Sequence, residues 1–226
     1  MSPKVKFEGL PREMIALRVS REIKEGSYVN LGIGIPTLIS NWIEGMDVSL
    51  QAEIGMLKTG ALASGDDVDQ DLINASCQAV TELPGTSYFD IVESFGMIRG
   101  GHIDVAVMGA LQINDRGDYA GWSNPARGLF VGNVGGSMDL CAGAKKLFIA
   151  MEHCTKDGEY KVVKELSNPA TAMGKVSMLF TDLAVIEITP KGMVLKEVMS
   201  GLTPEDVQSV TEPKLIIDPK CKEMEL

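Results

Sequence analysis

Cysteine and histidine are scarce in this chain, and what little there is does not cluster. Cys77, Cys141, Cys154 and Cys221 contain no C-x-x-C pair, and the two histidines, His102 and His153, stand at no metal-site spacing from them. A zinc site or a disulfide framework is therefore not expected. His153 directly precedes Cys154, but neighbours in a strand point opposite ways, so their adjacency is read as chance. Aromatic residues are few, with two Trp, four Tyr and six Phe, which argues against an aromatic-rich sandwich. No apolar run approaches the roughly 18 residues of a membrane helix; the longest, such as Leu147–Met151, fits a buried strand. A basic excess is also missing. Lys and Arg total 21 against 31 Asp and Glu, a net charge of −10, which argues against a nucleic-acid partner. The N-terminal stretch MSPKVKFEGLPREM has neither an apolar core nor a small-residue cleavage site, so a cytoplasmic location is expected.

What the chain does have is apolar residues, at 45%, and 24 glycines. That is enough for a real core with many tight turns. Its 226 residues, without linker, repeat or low-complexity tract, read as a single domain spanning 1–226. Pro11 and Gly26 bracket a helix whose Ile15, Val19 and Ile23 form one stripe. A strand over Tyr28–Leu31 follows, then the turn Gly32-Ile33-Gly34-Ile35-Pro36. A helix over Thr37–Ile43 and a strand over Val48–Ala52 complete the unit. This strand–turn–helix–strand order marks a parallel α/β sheet. Ser87–Ile98 reads as a helix. Ile103–Ile113 reads as a nearly continuous apolar strand covered on both faces. A glycine-rich loop at 132–136 leads into a helix over Ser137–Ala144 and a strand over Lys146–Met151. Beyond it, Val162–Leu166, Val185–Thr189 and Met193–Val198 read as strands, with a hairpin turn at Pro190–Gly192. Thr203 caps a short helix with an acidic first turn. The expected architecture is α/β: an open mixed sheet with flanking helices, mostly parallel at first and antiparallel toward the end.

In open α/β sheets ligands gather beyond the carboxyl ends of the strands. Three features converge there. Glu53 ends the second strand among apolar neighbours; desolvation makes such a carboxylate a better base or nucleophile. The plainer reading is a turn residue facing water. The Gly32–Gly34 turn lacks the third glycine of a dinucleotide fingerprint and reads equally as a strand-to-helix turn. Gly135 and Gly136, before a helix, offer backbone N–H groups to an anion or oxyanion, or simply let helix pack on strand. His102 has no G-x-S-x-G partner and reads as structural. Lys145-Lys146 and the acidic stretch Asp66–Asp71 read as solvated surface.

Several segments together resemble family I coenzyme A transferase β subunits. Val29–Thr37 (VNLGIGIPT), Ser94–Asp104 (SFGMIRGGHID) and Gly135–Leu140 (GGSMDL) match three of that family's motifs, and Leu83-Pro84-Gly85 and Thr181–Val185 also fit. The similarity runs from about residue 12 to about residue 211. The resemblance implies that fold, the one shared by CoA transferases and NagB-like proteins. It implies Glu53 as the nucleophile, forming acyl-glutamyl anhydride and glutamyl-CoA thioester intermediates. It places Gly135, Gly136, Asn30, Gly32 and Gly34 around the reacting centre as oxyanion or CoA-binding residues. It implies no permanently bound cofactor and no metal, with the coenzyme A thioester as substrate and a short-chain or 3-oxo carboxylic acid, such as acetoacetate, as donor or acceptor. It also implies an α subunit of similar fold, in an α2β2 heteromer. An acyl-CoA hydrolase, or a non-catalytic sensing or assembly subunit on the same scaffold, are the alternatives. The chain departs from the family pattern at Ile54, where an asparagine is usual beside the nucleophile, and at Cys77, where a lysine is common.

Overall fold

The computed structural model describes residues 7–125 and 134–226. Its strands are β1 (Tyr28–Leu31), β2 (Ser49–Ala52), β3 (Met56–Leu62), β4 (Val80–Tyr88), β5 (Val105–Met108), β6 (Gln112–Ile113), β7 (Tyr119–Ala120), β8 (Lys146–Ala150), β9 (Val176–Phe180), β10 (Ala184–Thr189), β11 (Gly192–Val198) and β12 (Ile216–Glu223). Ten of them form one sheet in the order β12-β11-β10-β9-β8-β5-β1-β2-β3-β4, while β6 and β7 make a separate ribbon. The centre, β2-β1-β5-β8-β9, is parallel. Crossover connections put helices on both faces, so the central strands are apolar on both sides.

Strand alternation sorts the core into two layers. Val29, Val107 and Phe148 point toward α1 (Arg12–Ser20) and a 3-10 helix (Ile35–Trp42), packing with Ile15, Val19 and Ile39. Ala106, Leu147 and Ile149 point the other way, toward α2 (Ile91–Arg99), α3 (Ser137–Gly143) and α4 (Pro204–Ser209), and meet Ile98, Leu140 and Val207. Arg18 of α1 fastens the first layer. Its guanidinium grips the buried Glu197 carboxylate of β11 through two bonds of 2.7 and 3.0 Å and stacks 5.6 Å from the Phe180 ring centroid.

The structure revises several expectations. The Ser87–Ile98 helix begins only at Ile91, because Asp90 caps it by accepting the Glu93 N–H at 2.9 Å, while Ser87 and Tyr88 close β4. The segment after Pro36 is 3-10 rather than α-helical. The apolar run 103–113 breaks at Gly109, with β5 joining the main sheet and β6 leaving it. Val162–Leu166 is no strand; Val162 makes only an isolated bridge to Ile113. The β3–β4 hairpin, β9 and β12 were not foreseen. The C-terminal part is antiparallel across β9-β10-β11, but β12 returns parallel to β11. The Pro190–Gly192 turn and the Thr203–Asp206 capping box form as expected.

His153 sits fully buried just beyond β8, its two ring nitrogens 3.0 and 2.9 Å from the hydroxyls of Thr181 and Thr211. Burial, reinforced by the Lys161 charge, pushes its pKa down to about 3. The folded state thus disfavours the imidazolium. Its contribution is whole above the unfolded value of about 6.5 and is lost progressively as pH falls toward the folded one. We expect stability to fall between pH 6.5 and 5 with a His153 component approaching about 1.4 kcal/mol per pH unit. His153→Gln should flatten that slope in urea melts, whereas an unchanged slope would contradict this assignment.

Candidate active site

The carboxyl edge of the parallel strands gathers the site. β2 ends at Ala52, and Glu53, half-buried, opens a tight turn closed by the Gly55 N–H donating to the Ala52 carbonyl at 3.0 Å. Gly55 has φ +132°, and a Cβ there would lie 2.2 Å from the Phe89 carbonyl oxygen. Only glycine lets the turn pass so close to the β4–α2 connection.

Parallel pairing sets Asn30 of β1 beside Gln51 of β2, both buried. Residues two apart in a strand share a face, which explains the cluster that follows. Asn30 Nδ2 donates toward three oxygens: the Gln51 carbonyl at 3.1 Å, Gln51 Oε1 at 3.2 Å and Glu53 Oε2 at 3.1 Å. Asn30 Oδ1 is the one buried side-chain polar atom among the described residues without a partner. Turning the amide over would face that oxygen against three acceptors, so the unmet acceptor is the smaller cost. Gln51 Nε2 in turn donates to the carbonyl and hydroxyl oxygens of Ser94 on α2, both at 3.1 Å.

Gly136 approaches from the other side. A Cβ on it would lie 3.4 Å from Glu53 Cγ and 3.1 Å from Phe95 Cζ. Its neighbour Gly135 has φ +52°, and Gly132 lies outside the described residues. Thus Asn30, Glu53 and Gly136 lie together at the end of β2. Gly32 and Gly34 do not join them through any hydrogen bond among the described residues. The Gly32 N–H is committed to the Val107 carbonyl at 2.8 Å, and a Cβ on Gly32 would lie 3.1 Å from Met108 Sδ and from that carbonyl oxygen. Gly34, at φ +95°, starts the 3-10 helix, its carbonyl accepting from the Thr37 hydroxyl at 2.7 Å. Gln51, Ser94 and Phe95 escaped the sequence reading as site residues. The i, i+2 relation of Gln51 to Glu53 was the available signal.

A cavity of about 30 Å³ beside Glu53 is lined by Thr37, Gln51, Thr59 and Asn74. Asn74 Oδ1 accepts from the N–H groups of Ser76 and Gln78 at 2.8 and 3.1 Å, forming the turn that displays Cys77 at φ +58°. A larger cavity, about 500 Å³, lies beyond the ends of β8 and β9 around the Arg12–Glu152 ion pair and Lys161. Burial lowers the Lys161 pKa. His102 and Lys145 belong to the opposite, amino edge, where Lys145 pairs with Asp104 at 2.7 Å. The hydrogen bond from Lys145 holds that carboxyl below the usual range. The Asp66–Asp71 stretch is exposed and begins in a 3-10 turn over Gly65–Asp67. Among the described residues no cluster of three or more His, Cys, Asp or Glu is placed to hold a metal, and no helix is long and apolar enough to cross a membrane.

Comparison with known proteins identifies the framework. The coenzyme A transferase family model matches residues 12–209. The chain belongs to the coenzyme A transferase family. One subunit of the succinyl-CoA:3-ketoacid coenzyme A transferase of Helicobacter pylori is 47% identical over 201 residues, covering 89% of this chain and 96% of that protein. One subunit of the 3-oxoadipate CoA-transferase of Pseudomonas putida is 44% identical, covering 92% and 97%. The acyl-CoA transferase YdiF of Escherichia coli O157:H7 shares the fold, with a TM-score of 0.77 at 20% identity. That match covers 98% of this CoA transferase chain but 44% of YdiF.

Proposed function

We propose that this chain is the catalytic β subunit of a CoA transferase that moves CoA between an acyl-CoA and a short-chain or 3-oxo carboxylic acid, with Glu53 as the covalent nucleophile. The observation that carries the reading is the placement of Glu53. Its carboxylate is half-buried at a strand end and held by Asn30, and the Gly136 backbone lies against its side chain. A carboxylate is ionised at neutral pH and needs no general base. It attacks the thioester carbonyl, expels CoA thiolate and forms a mixed anhydride. The thiolate then attacks the glutamyl carbonyl and releases the first acid as its carboxylate, leaving a glutamyl-CoA thioester. The acceptor carboxylate attacks that thioester and expels thiolate, giving the second anhydride. Thiolate attack on its acyl carbonyl yields the new acyl-CoA and restores Glu53.

Each carbonyl addition places charge on oxygen. The backbone N–H groups of Gly135 and Gly136 are assigned to meet it, with Asn30 holding the Glu53 side. Both intermediates hydrolyse, so water has to be kept away. The residues flanking the site leave apolar side chains uncovered: Ile33 is 73% exposed, Ile54 45% and Met138 60%. Such a rim suits a covering partner, and each of the two relatives is named as one subunit of its enzyme, so an α subunit of similar fold is the expected partner. The names of the relatives support 3-oxo acids as acceptors, with acetoacetate the first to try.

The test is steady-state kinetics of the complex reconstituted with its partner subunit, varying succinyl-CoA against acetoacetate. A ping-pong pattern, with parallel double-reciprocal lines, is the expected result. Intersecting lines would mean that both substrates bind before the first acid leaves and would contradict its release from a CoA-charged enzyme.

A further inference from the structure

Resting on Glu53 as the nucleophile, we propose that Gln51 is a positioning residue. Anchored by Ser94 on α2, it fixes the orientation of Asn30 and thereby holds the Glu53 carboxylate in place through the catalytic cycle. The direction of the chain follows from donors and acceptors. The Ser94 carbonyl can only accept, so Gln51 must turn its NH2 group toward α2, where it meets that carbonyl and the Ser94 hydroxyl at 3.1 Å each. Gln51 Oε1 is then forced toward Asn30. That oxygen, with the Gln51 carbonyl, obliges Asn30 to present its own NH2. The donor facing Glu53 is therefore set from the α2 backbone through two buried amides, and the orphaned Asn30 Oδ1 is the cost of that setting.

The arrangement also explains a surplus. Asn30 Nδ2 carries two hydrogens but faces three oxygens, two of them on Gln51. While Glu53 is an anion, its oxygen takes the stronger share. When Glu53 becomes an anhydride or thioester that charge disappears, and Gln51 Oε1 receives the freed hydrogen. Asn30 stays in register for the return of the carboxylate. A side chain serving packing alone would need neither amide at this position.

The experiment uses the assembled complex and compares wild type, Gln51→Leu, Asn30→Ala and the double variant. It follows turnover and the rate at which acyl-CoA converts Glu53 to its CoA thioester. Gln51→Leu is expected to lower kcat about 30-fold, slow thioester formation by the same factor and leave KM for acyl-CoA within about twofold. In the Asn30→Ala background the same change should cost less than about twofold, because Gln51 acts through Asn30. Should Gln51→Leu fail to assemble, Gln51→Met, close in length, carries the same expectations. Equal costs in both backgrounds, or thioester formation as fast as wild type, would overturn the positioning role while leaving Glu53 as the nucleophile. No thioester in the wild-type complex would overturn both.

Discussion

Glu53→Gln should abolish CoA transfer, lowering kcat by more than about 10⁴-fold, while the complex assembles normally. The amide keeps the size of the carboxylate and an oxygen for Asn30 to bond, now 3.1 Å away, so stability should change by less than about 1 kcal/mol. What is lost is the anionic oxygen that forms the anhydride. Glu53→Asp separates nucleophile from position. It keeps the charge but withdraws it by one methylene from the space beside Gly136, and a displacement of about 1 Å costs about 10²-fold. A transfer assay with gel filtration of each complex reads both. A Glu53→Gln complex with a substantial fraction of wild-type turnover would remove the covalent route.

Gly55→Ala should be the most disruptive single-methyl change near the site. Its Cβ would lie 2.2 Å from the Phe89 carbonyl oxygen, on a backbone at φ +132° that side chains rarely adopt. The same residue also accepts the Phe89 N–H at 3.0 Å, so the new methyl cannot be relieved without breaking the contact between the β2–β3 turn and the entrance to α2. We expect a loss of about 3 kcal/mol or more in chemical denaturation. Glu53, two residues earlier, should move with the turn, giving at least about a 10²-fold drop in kcat in the molecules that fold. A stability within about 0.5 kcal/mol of wild type would show that the turn yields freely.

The sequence makes the site more legible than the sheet. Glu53 follows a short strand, β2, a position that reads equally as a turn residue facing water, and only the family resemblance singles it out as the nucleophile. Tyr28–Leu31 is recovered residue for residue because it lies between the Gly26 stop and the Gly32 turn. β4, at one edge of the sheet beside β3, is hidden. Val80–Tyr88 is largely exposed and carries Pro84 and Gly85, as an edge strand can, so no apolar alternation announces it. β12 escaped for the same reason, since Ile216–Glu223 is mostly exposed and includes Pro219. The break at Gly109 is a tertiary choice that an unbroken apolar run conceals. Within the site, Asn30 could be named from its motif, but the bond to Glu53 needs the parallel register of β1 on β2. Gln51 and Ser94 meet across the sheet–helix interface at a separation of 43 residues, beyond any local pattern. Gly32 is ambiguous in the sequence because a glycine turn at a strand end serves packing and ligand approach alike.

The decisive step is covalent linkage of Glu53 to CoA. The complex with its partner subunit, incubated with acetoacetyl-CoA or succinyl-CoA, quenched in acid and digested at low pH, should yield the Glu53 peptide heavier by CoA less one water. The increment should vanish on addition of the acceptor acid and be absent from Glu53→Gln. An unmodified Glu53 peptide during active transfer, or a CoA increment carried by another residue, would contradict the account.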